Sequence, residues 1–514
     1  MSANAEAQSA CPLRPQFLPS GLLLVQPGAS QMDRDKALVD AHFHRSPGSP
    51  IGDEAVARAL DHLRHARHEW SHYDQYLTTP VGALLHRLRV SRRFAATQVL
   101  ADLARSTGRL TSLPGLIARE TALREPFITT SRVLSEHGAR NLQFWEFLWR
   151  LEAVLMGAVW HQAAVAEIWH SLFGIEVHRE FLGVDRVGGF SHRCDLEVLD
   201  QDTFRSGDTT LKDLLEGSSR LTEYHMLQPI VGVQASTEFL ATGSSTYWST
   251  TAAACKALDV APDHPVIRVL HEVALEQFPD VELLRHSSVE ALDWNTHYPG
   301  RFYDRALATL DASSVPRRMT LDDAYELVAA RCLLRDTEPM AAATTAALEF
   351  GSAASSLHAR ASVSTMDFAS RHHTEHGQTL IDEFAGLTLT AGLALRARDP
   401  LAFLRSYERY PEEVAPDLVA TRLPPFVLMD EGFGTHACVN ADRDEHIPLV
   451  VDSLFELAID ELADTGNCRI SSVMYNEIVR WSGPDAADVV TFLFTRRTTE
   501  ELTDLMIRKL RGDV

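Results

Sequence analysis

From Asp53 onward, apolar residues recur with the period of an α-helix: Val56, Leu60, Leu63 and Trp70 are spaced by four, three and seven. A second helix is expected over 81–106, stopped by Gly108. The most strongly apolar stretch is 141–173, followed by Gly174. A helix apolar nearly all round belongs at the centre of a bundle. The segment 183–217 is polar and turn-rich and reads as a loop excursion with a short strand or two. Helices resume at Leu221, another follows Pro279 and ends at Pro299, and Thr320-Leu-Asp-Asp has the form of a helix start. From 338 to 398 there is no proline, and Ser and Thr are frequent. Beyond Pro411 the texture changes. Phe426-Val-Leu-Met and Val489-Val-Thr-Phe-Leu-Phe read as short strands, and Thr498-Thr-Glu-Glu opens a last helix that closes before Gly512. The expected fold is mainly α, a helical bundle core with a small mixed α/β C-terminal region. Its parts are a flexible tail (1–52), an N-terminal helical region (53–124), the central helical bundle (125–312), a second helical region (313–410) and a C-terminal α/β module (411–514). That last module would be regulatory or dimer-forming, giving a homodimer.

Length and composition narrow the class. At 514 residues, 45% of them hydrophobic, the chain is globular and long enough for two or three domains. The formal charge of −22 disfavours nucleic acid and anionic membranes as partners, since both are gripped mainly by cationic side chains. The densest basic run, 87–93, reads as a solvated helix face. Six cysteines lie far apart without a CxxC, which suggests neither a thiolate zinc site nor a disulfide framework. Free thiols fit a reducing cytosol, and a cytoplasmic location is expected. No apolar run approaches the roughly 18–20 residues of a membrane span, and the N-terminus does not resemble a signal peptide.

Candidate chemistry sits on the apolar central helix. Trp145, Trp149, Met156, Trp160 and Glu167 fall on one stripe at about 100° per residue, with Glu152 and His170 on its flank. Carboxylates are seldom buried without a partner, so something must compensate Glu152, Glu167 and His170. One answer is a metal, because Glu167-x-x-His170 presents two ligands from one turn; the other is arginine from a neighbouring helix. After Pro279, His286, Glu290, Asp293 and His297 fall in a band about 60° wide. That band suits a metal, and it equally suits a polar face in water.

Taken together, Glu167-x-x-His170 and the later His286, Glu290, Asp293 and His297 resemble the haem-oxygenase-like di-iron oxidases over about 130–310. Asp293 stands where that family commonly has histidine, and Glu152 would fill the place of its additional early Glu. The resemblance implies two iron ions, dioxygen as co-substrate and oxidation of a small molecule, an amine or a carboxylic acid. The expected activity is therefore a non-haem iron-dependent oxidase or oxygenase. The rival class is a non-catalytic helical scaffold or regulatory protein whose buried Glu residues pair with arginines.

Two further patterns carry possible metal chemistry. His372-His-Thr-Glu375-His376 satisfies the inverted zinc-peptidase string H-x-x-E-H, but its surroundings do not otherwise look like such a peptidase. His62, His65, His68 and His72 form a stripe read first as a solvated face, with adventitious metal binding or a pH-sensitive contact as the alternatives. Neither a P-loop, nor a dinucleotide fingerprint, nor a G-x-S-x-G elbow is present.

Overall fold

A computed structural model describes residues 16–18, 23–27, 29–45, 53–122, 134–156, 209–240, 245–276, 298–332, 426–430, 435–438 and 447–466. It also describes 392, 396, 401, 404–406, 507, 508, 510 and 511. The chain is mostly helical. Among the described residues no helix is long and apolar enough to cross a membrane.

The elements that position the site are a set of packed helices. Helix α1 (Ala29–Arg45) precedes α2 (Glu54–Thr78), α3 (Pro80–Thr107), α4 (Leu113–Ala122) and α5 (Glu136–Leu155). Then come α6 (Leu211–Val231), α7 (Val233–Leu240), α8 (Ser245–Leu258) and α9 (Pro265–Glu276). Two more, α10 (Pro299–Thr309) and α11 (Leu321–Cys332), precede the late helix α12 (Ile447–Thr465).

Local chemistry accounts for most helix ends. Asp53 caps α2 by accepting a hydrogen bond from the Ala55 N–H. Thr79 caps α3 with Pro80 as its first residue, and Gly108 stops it in the left-handed conformation (φ +71°), which glycine adopts without strain. Thr320 and Asp323 form the reciprocal cap expected at the start of α11. Helix α6 opens on a full capping box between Thr210 and Asp213. The same end is pinned from outside, because Leu211 N–H donates to the Tyr298 hydroxyl at 2.8 Å and Thr209 bonds twice to Asp304 of α10.

Helix α2 packs against α1, α3 and α6, and α3 packs against α5. Met32, Val39 and Phe43 of α1, Val56, Leu63 and Ala66 of α2, and Met226, Leu227 and Val231 of α6 form one apolar cluster. Helix α1 thus lies inside the stretch expected to be a flexible tail, and it contributes to the core. Helices from the expected N-terminal region and from the expected central bundle pack directly on one another. On the central helix, Trp145 is buried and stacks on Trp149 at 5.5 Å. A buried ion cluster closes the far end of α2: Arg396 donates to Thr78, to Glu272 at 2.7 Å and to Glu276 at 3.0 Å.

A four-stranded sheet joins distant parts of the chain in the order β1 (Gln16–Leu18), β2 (Leu23–Pro27), β3 (Phe426–Asp430), β4 (Thr435–Cys438). The outer pairs are antiparallel, and β2 runs parallel to β3 with Leu23 opposite Phe426. The strand read at 426 is therefore present. A self-contained α/β module over 411–514 is not what the described residues show, because half of this sheet comes from residues 16–27. The second strand (489–494) and the capping box at 498 lie outside the described residues.

Candidate metal centre between two helices

Helix α2 carries His68 and His72 one turn apart, so both imidazoles leave the same face. Helix α6 packs on that face and carries Glu216 and Glu223, seven residues or about two turns apart. His68 Nε2 lies 3.0 Å from His72 Nε2 and 3.2 Å from Glu216 Oε2, and His72 Nε2 lies 3.4 Å from that same oxygen. These three donor atoms make a nearly equilateral triangle. Ligands about 2.1 Å from one divalent ion are separated by about 3.0 Å in octahedral geometry and about 3.4 Å in tetrahedral geometry. An ion about 1 Å above the plane of the triangle would satisfy all three distances.

The groups behind the triangle set its tautomers. His68 Nδ1 lies 2.7 Å from Glu223 Oε1, the distance of a charge-assisted hydrogen bond to a carboxylate. His72 Nδ1 faces Gln75 Oε1 and Ser219 Oγ, each at 3.2 Å. With the Nδ1–H groups donating outward, both Nε2 lone pairs and the Glu216 carboxylate converge on one point. Such a convergence of acceptors needs a cation. Without a metal the cation is a proton: burial opposes charge on His68, but its bonds to Glu216 and Glu223 outweigh this and raise its pKa to about 10. Burial works against ionised Glu216 as well, yet the bonds from His68 and His72 hold its carboxyl well below the usual range.

Glu223 is itself anchored. Arg64 and Arg220 donate to its Oε2 at 3.2 and 3.1 Å, and these cations together with His68 overcome burial to keep it ionised. Both guanidinium groups lie over the Phe239 ring, Arg220 at 3.6 Å from its centre. Tyr247 of α8 approaches His68 at 5.7 Å between ring centres. Gly217, next to Glu216, lets α6 approach α8 and α9, since a Cβ there would stand 2.3 Å from Thr250 Oγ1.

Beside the triad lies a cavity of about 180 Å³, with His72 and Glu216 in its wall. Val81, Leu85, Met156 and Leu215 supply its apolar lining, and Arg89 and Lys212 its cations. The candidate centre is thus half-enclosed and adjoins a space for a small molecule.

Of the metal ligands expected from sequence, Glu152 is described, and its surroundings answer what compensates it. Arg89 donates to one of its oxygens at 2.8 Å and Arg92 to the other at 2.7 Å, both from α3. Both oxygens are committed to guanidinium groups, so the arginine-pairing alternative applies here, and Glu152 is removed from the ligand set. Glu167, His170, His286, Glu290, Asp293 and His297 lie outside the described residues, as do His372, Glu375 and His376. The histidine stripe of α2 divides. His65 turns to Asp61 and His62 to Asp35, while His68 is buried and His72 mostly so. A solvated face therefore does not describe the two that meet α6. His68-x-x-x-His72 is the signal in the sequence; Glu216 gives none, because 183–217 reads as loop. Among the described residues, His68, His72 and Glu216 are a group whose donor atoms all lie within 4.8 Å of one another. Compared with known family models, curated proteins and solved structures, the chain matches none.

Proposed function

We propose that the protein is a metal-dependent enzyme of the non-haem iron oxidase or oxygenase class, in which His68, His72 and Glu216 hold one divalent ion beside a small-molecule cavity. The observation that carries this reading is the triangle of donor atoms, 3.0, 3.2 and 3.4 Å on its sides. Two imidazoles and one carboxylate on one face of an ion are the donor set that non-haem ferrous iron takes, leaving open positions for dioxygen and substrate. The remaining work belongs to the chain. Glu223 fixes the His68 ring and Gln75 the His72 ring, while the apolar wall of the cavity keeps bulk water from the reacting face. This site differs from the expected two-iron arrangement in residues and in stoichiometry: it takes one ion, from α2 and α6.

The same donor set also serves catalytic zinc, in which case the chemistry is hydrolysis by a metal-bound water. Elemental analysis of tag-free protein loaded anaerobically with iron alone, followed by measurement of dioxygen consumption with ascorbate present, separates the readings, since direct competition favours zinc at any such site. About one iron per chain with dioxygen consumed, both lost in His72→Ala and in Glu216→Ala while the helical circular dichroism persists, supports the oxidase. Iron bound without dioxygen consumption, in protein that also takes up zinc, moves the assignment to a hydrolase. Folded protein that takes up neither ion overturns both and leaves the non-catalytic helical scaffold.

A further inference from the structure

The walls of the cavity restrict what it accepts. We propose that its ligand is a small organic anion, an apolar body the size of a substituted benzene ring carrying one negatively charged head. As a statement about substrate, this rests on the metal reading of the neighbouring triad.

Size comes first. An apolar cavity of about 150 Å³ holds benzene, so the 180 Å³ here suits a body of roughly six to ten non-hydrogen atoms. Val81 and Leu85, one turn apart on α3, face this space together with Met156 and Leu215. Those four side chains offer nothing to a polar body; the polar groups of the lining are His72, Gln75, Tyr76, Arg89, Lys212 and Glu216.

Charge is decided by Arg89 and Lys212. Arg89 lies one turn beyond Leu85, with its Nε bonded to Glu152 and its guanidinium 5.4 Å from the centre of the Tyr76 ring. Its Nη1 is shut off from solvent and has no hydrogen-bond partner. That nitrogen faces protein and not the cavity, so Arg89 acts on an anionic head through its field; with Arg92 also on Glu152, two guanidinium groups stand against one carboxylate. Lys212 stands one turn before Glu216 on α6, about 6 Å along the helix axis, and brings a second cation to the same wall. The acidic group in the lining, Glu216, is already taken up by His68 and His72. The Gln75 amide is likewise committed, to His72, Leu215 O and Ser219. An anionic head therefore meets two cations, whereas an ammonium head meets the same two as repulsion.

The test uses the full chain, loaded with Co²⁺, and three near-isosteric probes of different charge: phenylacetate, phenylacetamide and phenethylamine. Calorimetric titration gives affinity, and cobalt content is measured on every sample. Phenylacetate is expected to bind at least about tenfold tighter than the amide, with no binding of the amine. Lys212→Met, and separately Arg89→Met, should each weaken phenylacetate about tenfold with cobalt content unchanged. Equal binding of acid and amide overturns the proposal. A preference for the acid that survives both substitutions also overturns it, because the metal would then be gripping the carboxylate. Normal cobalt uptake without charge preference sinks this inference and spares the metal reading. Charge preference without cobalt uptake sinks the metal reading and sustains the anion site.

Discussion

At the scale of single residues, burial and a fixed partner turn ordinary side chains into specialised ones. His68 is the clearest case, because Glu223 holds its Nδ1 while Nε2 faces the other two donors. Glu223→Gln keeps the shape and removes the charge. Metal affinity measured by competition with a chelator should fall about 10- to 100-fold without being abolished. His271 shows the opposite use of burial. Its ring lies between the Ile267 carbonyl and the Thr250 hydroxyl, and burial, outweighing the favourable bond to Ile267, depresses its pKa to about 4. The folded state therefore binds this proton less readily than the unfolded chain, whose His titrates near 6.5. Its contribution is complete above pH ~6.5 and is lost as pH falls toward 4, by up to roughly 3 kcal/mol. In urea titrations, the stability advantage of the parent over His271→Gln should shrink across that window. An advantage independent of pH would refute a neutral buried ring. At this scale the sequence was half legible. Spacing marks His62, His65, His68 and His72 as one stripe and suggests a solvated face, but whether water or α6 covers the last two is settled by residues about 150 positions away.

Among elements, helix α6 decides most. Its N-terminal capping box and its bonds to Tyr298 and Asp304 set where Glu216 sits along α2. Thr210-x-x-Asp213 has the same form as Thr320-x-x-Asp323, which predicts a helix start and makes one. The first lies in a polar, turn-rich stretch, and Gly217, Ser218 and Ser219 after it depress helix propensity. Those small residues are there for contact. Gly217→Ala should destabilise the protein by about 1–3 kcal/mol, since its methyl group would collide with Thr250 Oγ1 and crowd the His271 ring. Chemical denaturation of parent and variant measures this, and a neutral result would show that α6 and α8 are free to move apart. Helix α1 is faint in the sequence for a related reason. Its apolar positions Met32, Val39 and Phe43 are few and stand among charged residues, next to a Pro- and Gly-rich start. The ends of α2 and α3 were legible because Asp53 and Gly108 act through local geometry.

For the whole molecule, the four-stranded sheet is what links the beginning of the chain to its late residues. Deleting residues 1–28 leaves α1 in place and strips β2 from β3, leaving the N–H and C=O groups of that edge without their ladder. The truncated protein is expected to aggregate at concentrations where the parent stays dispersed, with light scattering as the readout. Equal behaviour of the two would mean that the edge needs no cover. The strand at 426 was readable from its own residues, but its partner was not: nothing in a local pattern tells β3 to pair with Leu23–Pro27.

That pairing also orders events during synthesis. About four hundred residues separate β2 from β3, so a ribosome adding 5–20 residues per second needs roughly 20–80 s to deliver the second strand after the first. Helices α1 and α2, which are neighbours in sequence, can dock long before then. The hairpin of β1 and β2 can close early, but the edge of β2 that faces β3 stays open through most of translation, waiting for a strand about four hundred residues downstream.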